Sequence, residues 1–278
     1  MFKKIAIVGV GLIGGSIGLA VRKNRLAKEV VGIGRRKSSI EKAIQAKAIN
    51  KGTLDFRKGV SDADLVIIAA PVDKVMLKIK EAAVYGKKGV VVIDVNSAKE
   101  SVVDYADSIM PKDKYFVGTH PLAGLEESGI SFAVEGLFND TVSVITPTKH
   151  TNKKAAARVK SFWKSLGAEI KVFSPKEHDK VVANISHLPH ILAYSLCNAV
   201  SSSDLRIAGS GFKDMTRIAK SDPYMWLNIF LQNSENVLNS IRVFESNLSS
   251  LKSYIRSKKK GPLFRRLYAA QQKRNKVE

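Results

Sequence analysis

The sequence predicts an α/β protein: a doubly wound sheet over residues 1–174, then an all-helical domain over residues 175–278. Three observations predict it. Short apolar runs alternate with amphipathic helical stretches as far as Phe173, a glycine-rich turn follows the first run, and strand-like runs disappear after Ser174-Pro175. Apolar strands alternating with helices build a parallel sheet covered on both faces.

The first strand, residues 3–9, runs into Gly9-Val10-Gly11-Leu12-Ile13-Gly14, and an apolar helical pattern follows over 12–24. In such a turn the first glycine permits the tight bend, the second lets backbone approach a pyrophosphate, and the third lets helix pack on strand. Free N–H groups at the helix start then meet the phosphates. Gly9, Gly11, Leu12, Ile13 and Gly14 are therefore expected to bind a dinucleotide, as in a Rossmann unit. Lys3-Lys4 before an apolar stretch also has the texture of a secretory leader. The strand-like opening, the placed glycines and the lack of a small-residue cleavage site favour the strand. No uninterrupted apolar run reaches the roughly 20 residues of a membrane helix.

Further strands are predicted at 29–33, 65–70, 90–95, 115–119, 141–146 and 169–173, with helices at 38–47, 73–84, 98–109 and 152–166. From Lys176 to Arg256 the chain reads as helices punctuated by Pro189, Gly209-Ser210-Gly211 and Pro223. Over 224–256 apolar residues recur at helical spacing, from Trp226, Leu227 and Phe230 to Leu248 and Leu251. Such a stripe is a core or subunit interface, so a homodimer through the helical domain is expected.

The net charge of +21 raises the question of nucleic acid. Residues 252–278 hold ten Lys/Arg and one acid, supplying +9 of it. The rest is spread thinly, without the basic and aromatic interleaving of single-strand binders. The charge reads as a solvated basic tail helix plus attraction for anionic ligands, with no specific nucleic-acid or membrane partner. A single cysteine, Cys197, excludes an intrachain disulfide framework and a multi-cysteine zinc site, and fits a cytoplasmic setting. Cys197 itself reads as a small buried hydrophobe.

Five segments carry chemistry. An acid that hydrogen-bonds the ribose of NAD normally ends the second strand. Gly34-Arg35-Arg36-Lys37-Ser38 stands there instead. Guanidinium forks at Arg35 and Arg36, with the Ser38 hydroxyl, suit a 2′-phosphate, so NADP is favoured over NAD. The alternative is a basic turn facing solvent. His120, in Gly118-Thr119-His120-Pro121, lies just past a strand at the carboxyl edge, where ligands of open α/β sheets bind. It is a candidate general base, or else a surface loop histidine. Ser97, at the end of the preceding strand, could orient a reacting hydroxyl, cap the helix beginning near Ala98, or both. In the helical half, Ser186-His187-Leu188-Pro189-His190 suits polar recognition better than zinc, because no further ligand completes a metal set. Arg217 could hold a substrate carboxylate or pair with Asp214 or Asp222.

Together these segments resemble the prephenate/arogenate dehydrogenase family of tyrosine biosynthesis. The resemblance rests on G-V-G-L-I-G-G-S at 9–16, D-V-N-S-A-K at 94–99, G-T-H-P-L-A-G at 118–124, S-H-L-P-H at 186–190, G-F-K-D-M-T-R-I-A at 211–219 and S-D-P-Y-M-W at 221–226. The first motif is generic to Rossmann proteins, and the others are specific in combination. The resemblance implies oxidative decarboxylation of a cyclohexadienyl dicarboxylate, with hydride passing to NADP or NAD and no metal. It implies His120 as acceptor of the hydroxyl proton, Ser97 on the same hydroxyl and Arg217 on the ring carboxylate. His190, Ser186, His187, Glu126 and Trp226 would line the side-chain end of the pocket, and Ala70-Pro71-Val72 would lie beside the cofactor. Asn96 stands where the family often has glycine. The chain's length is expected to leave no room for a chorismate mutase or regulatory ACT domain, hence a monofunctional enzyme. The rivals are an arogenate or dual cyclohexadienyl dehydrogenase, another two-domain NADP reductase such as an imine or β-hydroxyacid reductase, and a non-catalytic NADP-binding protein.

Overall fold

The computed structural model describes residues 2–277. The chain divides into two compact units, Met1–Asn233 and Ser234–Glu278. The first opens with β1 (Phe2–Val8), α1 (Leu12–Lys23), β2 (Ala27–Ile33), α2 (Lys37–Gln45), β3 (Lys51–Thr53), α3 (Phe56–Val60) and β4 (Leu65–Ile68). It continues with α4 (Val75–Tyr85), β5 (Val91–Asp94), α5 (Glu100–Ile109), β6 (Tyr115–Pro121), β7 (Val142–Thr146), α6 (Lys153–Ser165) and β8 (Glu169–Val172). Helices then take over: α7 (Pro175–Val182), a π-helical turn (Ala183–His187), α8 (Leu188–Ala199), α9 (Ser210–Thr216) and α10 (Pro223–Gln232). The second unit holds α11 (Ser234–Arg256) and α12 (Lys260–Arg274).

The strands form one sheet in the order β3-β2-β1-β4-β5-β6-β7-β8. Successive residues face opposite sides, which splits the apolar residues between two cores. Ile5, Ile7, Leu65, Ile67, Val91, Ile93 and Val117 pack with α1 and with Phe162 and Trp163 of α6. Ala6, Val8, Val66, Ile68, Val92 and Phe116 pack with α4 and α5. Both faces are therefore covered, and the strands read as continuous apolar runs for that reason.

Three features depart from the sequence expectation. β3 and α3 escape periodicity because they are short, three and five residues, and polar or glycine-bearing. The sheet is also not wholly parallel: β7 runs antiparallel to β6, with His120 opposite Val144, while β7 and β8 are parallel. The 122–141 connection contains only a single 3₁₀ turn, Ile130–Phe132, and no crossover helix of the kind a parallel return requires. The helical pattern predicted through 224–256 is likewise interrupted at Asn233, between α10 and α11.

Local capping chemistry sets several helix starts. Asn152 accepts the Ala155 N–H at α6, Ser174 and Glu177 form a reciprocal capping box at α7 with Pro175 in the first turn, and Asp222 caps α10 ahead of Pro223. The start of α1 differs. Its N-cap is Gly11, without a side-chain cap, and no acid lies in the first turn. Gly9 adopts φ +93°, and a side chain on Gly14 would collide with the Gly9 carbonyl. A Cβ on Gly11 would meet nothing. Gly14→Ala should therefore lower stability by about 1–3 kcal/mol in urea unfolding. Gly11→Ala should cost less than about 1 kcal/mol in the same titration.

Candidate active site

Two groups of residues sit along the carboxyl edge of the sheet. One surrounds the end of β1. The Gly9 turn lies against Ala69 and Ala70 beyond β4, so the glycine turn and the Ala70-Pro71-Val72 turn are neighbours. Leu12 and Ile13 open α1, whose first-turn N–H groups have no intrahelical acceptor. The open space beside Gly11 is what a pyrophosphate cradle requires, and a side chain there would occupy it. At the end of β2, Arg35, Arg36 and Ser38 are exposed, and Arg36 precedes α2 as its N-cap residue. Lys74, in the 3₁₀ turn after β4, is raised by its Asp73 partner and opposed by the nearby Arg35 charge. Asp73 in turn accepts from the Tyr224 hydroxyl of α10 at 3.3 Å. The residues present fit a dinucleotide.

The other group lies past β5 and β6. Asp94, the last residue of β5, and Lys99 form a fully buried ion pair. Lys99 also donates to the Thr119 carbonyl at 3.0 Å, and Asp94 accepts the Asn96 N–H at 3.0 Å and the Thr119 N–H at 3.3 Å. Burial pulls Lys99 down, while Asp94 and Asp179 hold it up. This pair shapes the loop that carries Ser97 beside the end of β6. Ser97 does not cap α5. The N–H groups of Lys99 and Glu100 donate instead to the two carboxylate oxygens of Asp179 from α7, at 2.7 and 2.9 Å. A side chain distant in sequence has taken the place of the local cap.

His120 lies inside β6, not past it, and is 8% exposed. Its Nδ1 is 2.9 Å from Nε2 of His178, whose Nδ1 is 2.8 Å from Asp179 Oδ1. Burial, reinforced by the neighbouring His178, Lys99 and His187, holds His120 well below the usual histidine range. It is neutral at pH 7, and Nδ1 is the ring nitrogen engaged by His178. The network continues through Asn233, which donates to the Asp179 carbonyl at 2.8 Å and lies 3.2 Å from His187 Nδ1. His187 meets the Trp226 ring edge-on, and His190 stacks on that ring at 3.4 Å between centroids. Ser186, in the π-helical turn, accepts His190 Nδ1 at its carbonyl, 2.9 Å away. His187 Nε2 and Trp226 Nε1 are buried without a protein partner.

Arg217 pairs with Glu126, not with Asp214 or Asp222. The reason is chain path: the 122–141 connection brings Glu126 across to the 3₁₀ turn Arg217–Lys220. Beside the pair lies an open cleft of about 520 Å³ lined by Glu126, Glu127, Ser128, Phe132, Lys220 and Asp222. The structure thus joins His120, His187, His190 and Trp226 through one network and sets Glu126 against Arg217. Sequence reading missed His178, Asp179 and Asn233. Locally, His178 and Asp179 show only as a His-Asp pair in the first turns of a capped helix, which looks like solvent-facing polarity, and Asn233 only as an amide closing α10. Among the described residues no cluster of His, Cys, Asp or Glu is arranged to hold a metal.

An eight-stranded sheet with a glycine turn at the end of β1, followed by a helical second half, is the architecture of a nucleotide-binding protein with an appended helical region. The family model "Prephenate dehydrogenase, nucleotide-binding domain" matches residues 17–172, and "Prephenate dehydrogenase, dimerization domain" matches 174–269. Prephenate dehydrogenase of Bacillus subtilis is 37% identical over 268 residues, 94% of this chain and 72% of that protein. Cyclohexadienyl dehydrogenase of Zymomonas mobilis is 34% identical over 92% of this chain and 90% of that one. The crystal structure of Aquifex aeolicus prephenate dehydrogenase with hydroxyphenyl propionate and NAD+ superposes with a TM-score of 0.94 at 34% identity, covering 100% of this chain and 99% of that one. The chain belongs to the prephenate dehydrogenase family.

The buried histidines make stability pH-dependent. Burial lowers His187 to about 4, against 6.5 for an unburied histidine. Between those values the unfolded chain binds more protons, so stability falls as pH drops from 6.5 toward 4. His187 accounts for on the order of 3 kcal/mol of this. His120, His178 and His190 are shifted in the same direction. Thermal melts at pH 7 and pH 5 should show a lower midpoint at the acid value, with a smaller gap in His187→Asn.

Proposed function

We propose that this chain is a prephenate dehydrogenase that converts prephenate to 4-hydroxyphenylpyruvate and carbon dioxide while NAD(P)+ is reduced. The observation that carries this reading is His120: a buried, neutral imidazole on the same sheet edge as the glycine cradle. Prephenate bears a hydrogen and a hydroxyl on one ring carbon, and a carboxylate with a pyruvyl group on the opposite one. The oxidised nicotinamide supplies the hydride acceptor when bound. His120 Nε2 takes the hydroxyl proton as the carbon loses its hydride. The bond to the ring carboxylate then breaks, and its electron pair completes the aromatic ring. His120 returns its proton to the phenolate oxygen, so the enzyme ends as it began.

The other roles follow from placement and chemistry. Ser97, in the loop after β5, orients the reacting hydroxyl. Arg217 holds the ring carboxylate, which replaces the Glu126 carboxylate on the guanidinium. His190, Ser186, His187 and Trp226 receive the pyruvyl end. For the cofactor, Gly9, Gly11, Leu12, Ile13 and Gly14 hold the pyrophosphate, with Ala70, Pro71 and Val72 alongside. NADP is the favoured dinucleotide and NAD the alternative. The absence of a carboxylate in the Gly34–Ser38 turn, the exposed Arg35 and Arg36 with Ser38, and the adjacent Lys74 support NADP. A homodimer through the helical half is supported by the match to a dimerization domain and by the exposed Leu238, Val243, Leu248 and Ile255 of α11.

Steady-state reduction of NADP+ and NAD+ with prephenate, and separately with arogenate, tests the assignment. Turnover is expected with prephenate; turnover of arogenate alone would replace that substrate assignment. His120→Asn should lose about 100-fold or more in kcat. Arg35→Ala should raise KM for NADP+ far more than for NAD+, and equal effects on the two would refute the 2′-phosphate reading.

A further inference from the structure

We infer that His178 and Asp179 are positioning residues which set the tautomer of His120 and share the proton it takes. This inference rests on the reading of His120 as the base. The direction of each hydrogen bond follows from chemistry. Asp179 accepts the Lys99 N–H and the Glu100 N–H, at 2.7 and 2.9 Å, so its carboxylate is oriented before any substrate arrives. A carboxylate only accepts, so His178 donates from Nδ1 across the 2.8 Å contact. Neutral His178 then has a lone pair at Nε2. Across the 2.9 Å contact, His120 must donate from Nδ1. The lone pair of His120 is thereby placed on Nε2, the atom that serves as base.

The charges favour the same arrangement. Facing His120 are His178 from α7, Lys99 from the start of α5 and His187 from the π-helical turn, while Asp179 and Asp94 act on His178 behind it. Lys99 and Asp94 neutralise one another in a fully buried pair. The Asp179 carboxylate, 2% exposed as a residue, is left to balance a proton arriving on the imidazole pair. When the substrate O–H bond breaks, the new N–H bond forms at His120 Nε2. The positive charge is then shared along Nδ1–H of His120, Nε2 of His178 and the carboxylate. The same proton leaves Nε2 for the phenolate oxygen at the end of the cycle. This is the logic of a catalytic triad, with a second imidazole interposed between base and carboxylate.

Substitutions at His178 test it, because packing and proton handling rank them oppositely. His178→Phe keeps a buried ring but offers His120 no acceptor, whereas His178→Gln keeps an acceptor carbonyl and loses the ring. The relay predicts that Phe lowers kcat by about 100-fold or more with KM for prephenate within about threefold, and that Gln retains at least about tenfold more activity than Phe. It also predicts that the acid limb of kcat/KM moves to lower pH in Gln, since the link to the carboxylate is broken. Equal losses in the two variants, a more active Phe variant, or an unmoved acid limb in Gln would overturn it. If the Phe variant does not fold, the acid limb of the Gln variant decides. Nitrogen-15 NMR of the histidine-labelled wild type, assigned through His120→Asn and His178→Gln, reads the tautomers without turnover. Nδ1–H on both rings supports the relay, and Nε2–H on His120 refutes it. Absence of prephenate turnover in the wild type would instead refute the substrate assignment, with the spectrum still deciding the tautomer.

Discussion

The carboxylate of Asp179 ties the helical part of the first compact unit to the sheet. It accepts the two N–H groups that open α5 and the Nδ1–H of His178, while the Asp179 carbonyl receives Asn233 from the end of α10. A helix start on the sheet layer, the first helix after the sheet and the last helix of the unit thus meet on one residue. Burying a carboxylate is costly unless its lone pairs are satisfied. Asp179 is stable there because two backbone donors and an imidazole satisfy it. Removing any of them would leave a charge in a medium that screens it poorly.

Beneath it, the Asp94–Lys99 pair plays a related part. Asp94 ends β5, and its carboxylate gathers the Asn96 and Thr119 N–H groups as well as the Lys99 ammonium. The loop after β5 and the end of β6 are drawn together by one buried anion. That arrangement positions Ser97 and His120 on neighbouring strand ends, and it is built from polar groups with almost no solvent exposure. Such a network is sensitive to the loss of any member, which is what a site requiring fixed geometry needs. The cofactor side is organised differently. It depends on missing side chains: Gly9 bends against Ala69, Gly14 packs on the Gly9 carbonyl, and Gly11 leaves open space beside the turn.

Much of the fold was legible in the residues. The apolar runs of β1, β4 and β5 are buried on both faces, so they appear as uninterrupted Val, Ile and Leu stretches. The amphipathic helices between them have one buried side and a clear period. β3 and α3 were not legible, because three or five mostly polar residues cannot display a period. The antiparallel β7 was not legible either, since a strand's apolar pattern carries no direction. In the site, His120, Ser97 and Arg217 stand in recognisable motifs. The Arg217–Glu126 pairing was not foreseen because no local spacing relates two residues so far apart in the chain. His178 and Asp179 directly follow a capping box at the start of a helix, where charged residues are ordinarily solvated.

The sequence by itself determined the alternation of strand and helix, the glycine turn and its dinucleotide chemistry, the basic turn after β2, and the family motifs. Each of these is written in near-neighbour spacing, which backbone geometry and periodicity translate directly. The tertiary structure decided which polar groups share a hydrogen bond. It turned Asp179 into the cap of a helix some eighty residues away and placed His178 behind His120. The physical reason is that a buried polar side chain takes whatever partner the packed chain brings within reach, and that choice is made by the fold as a whole.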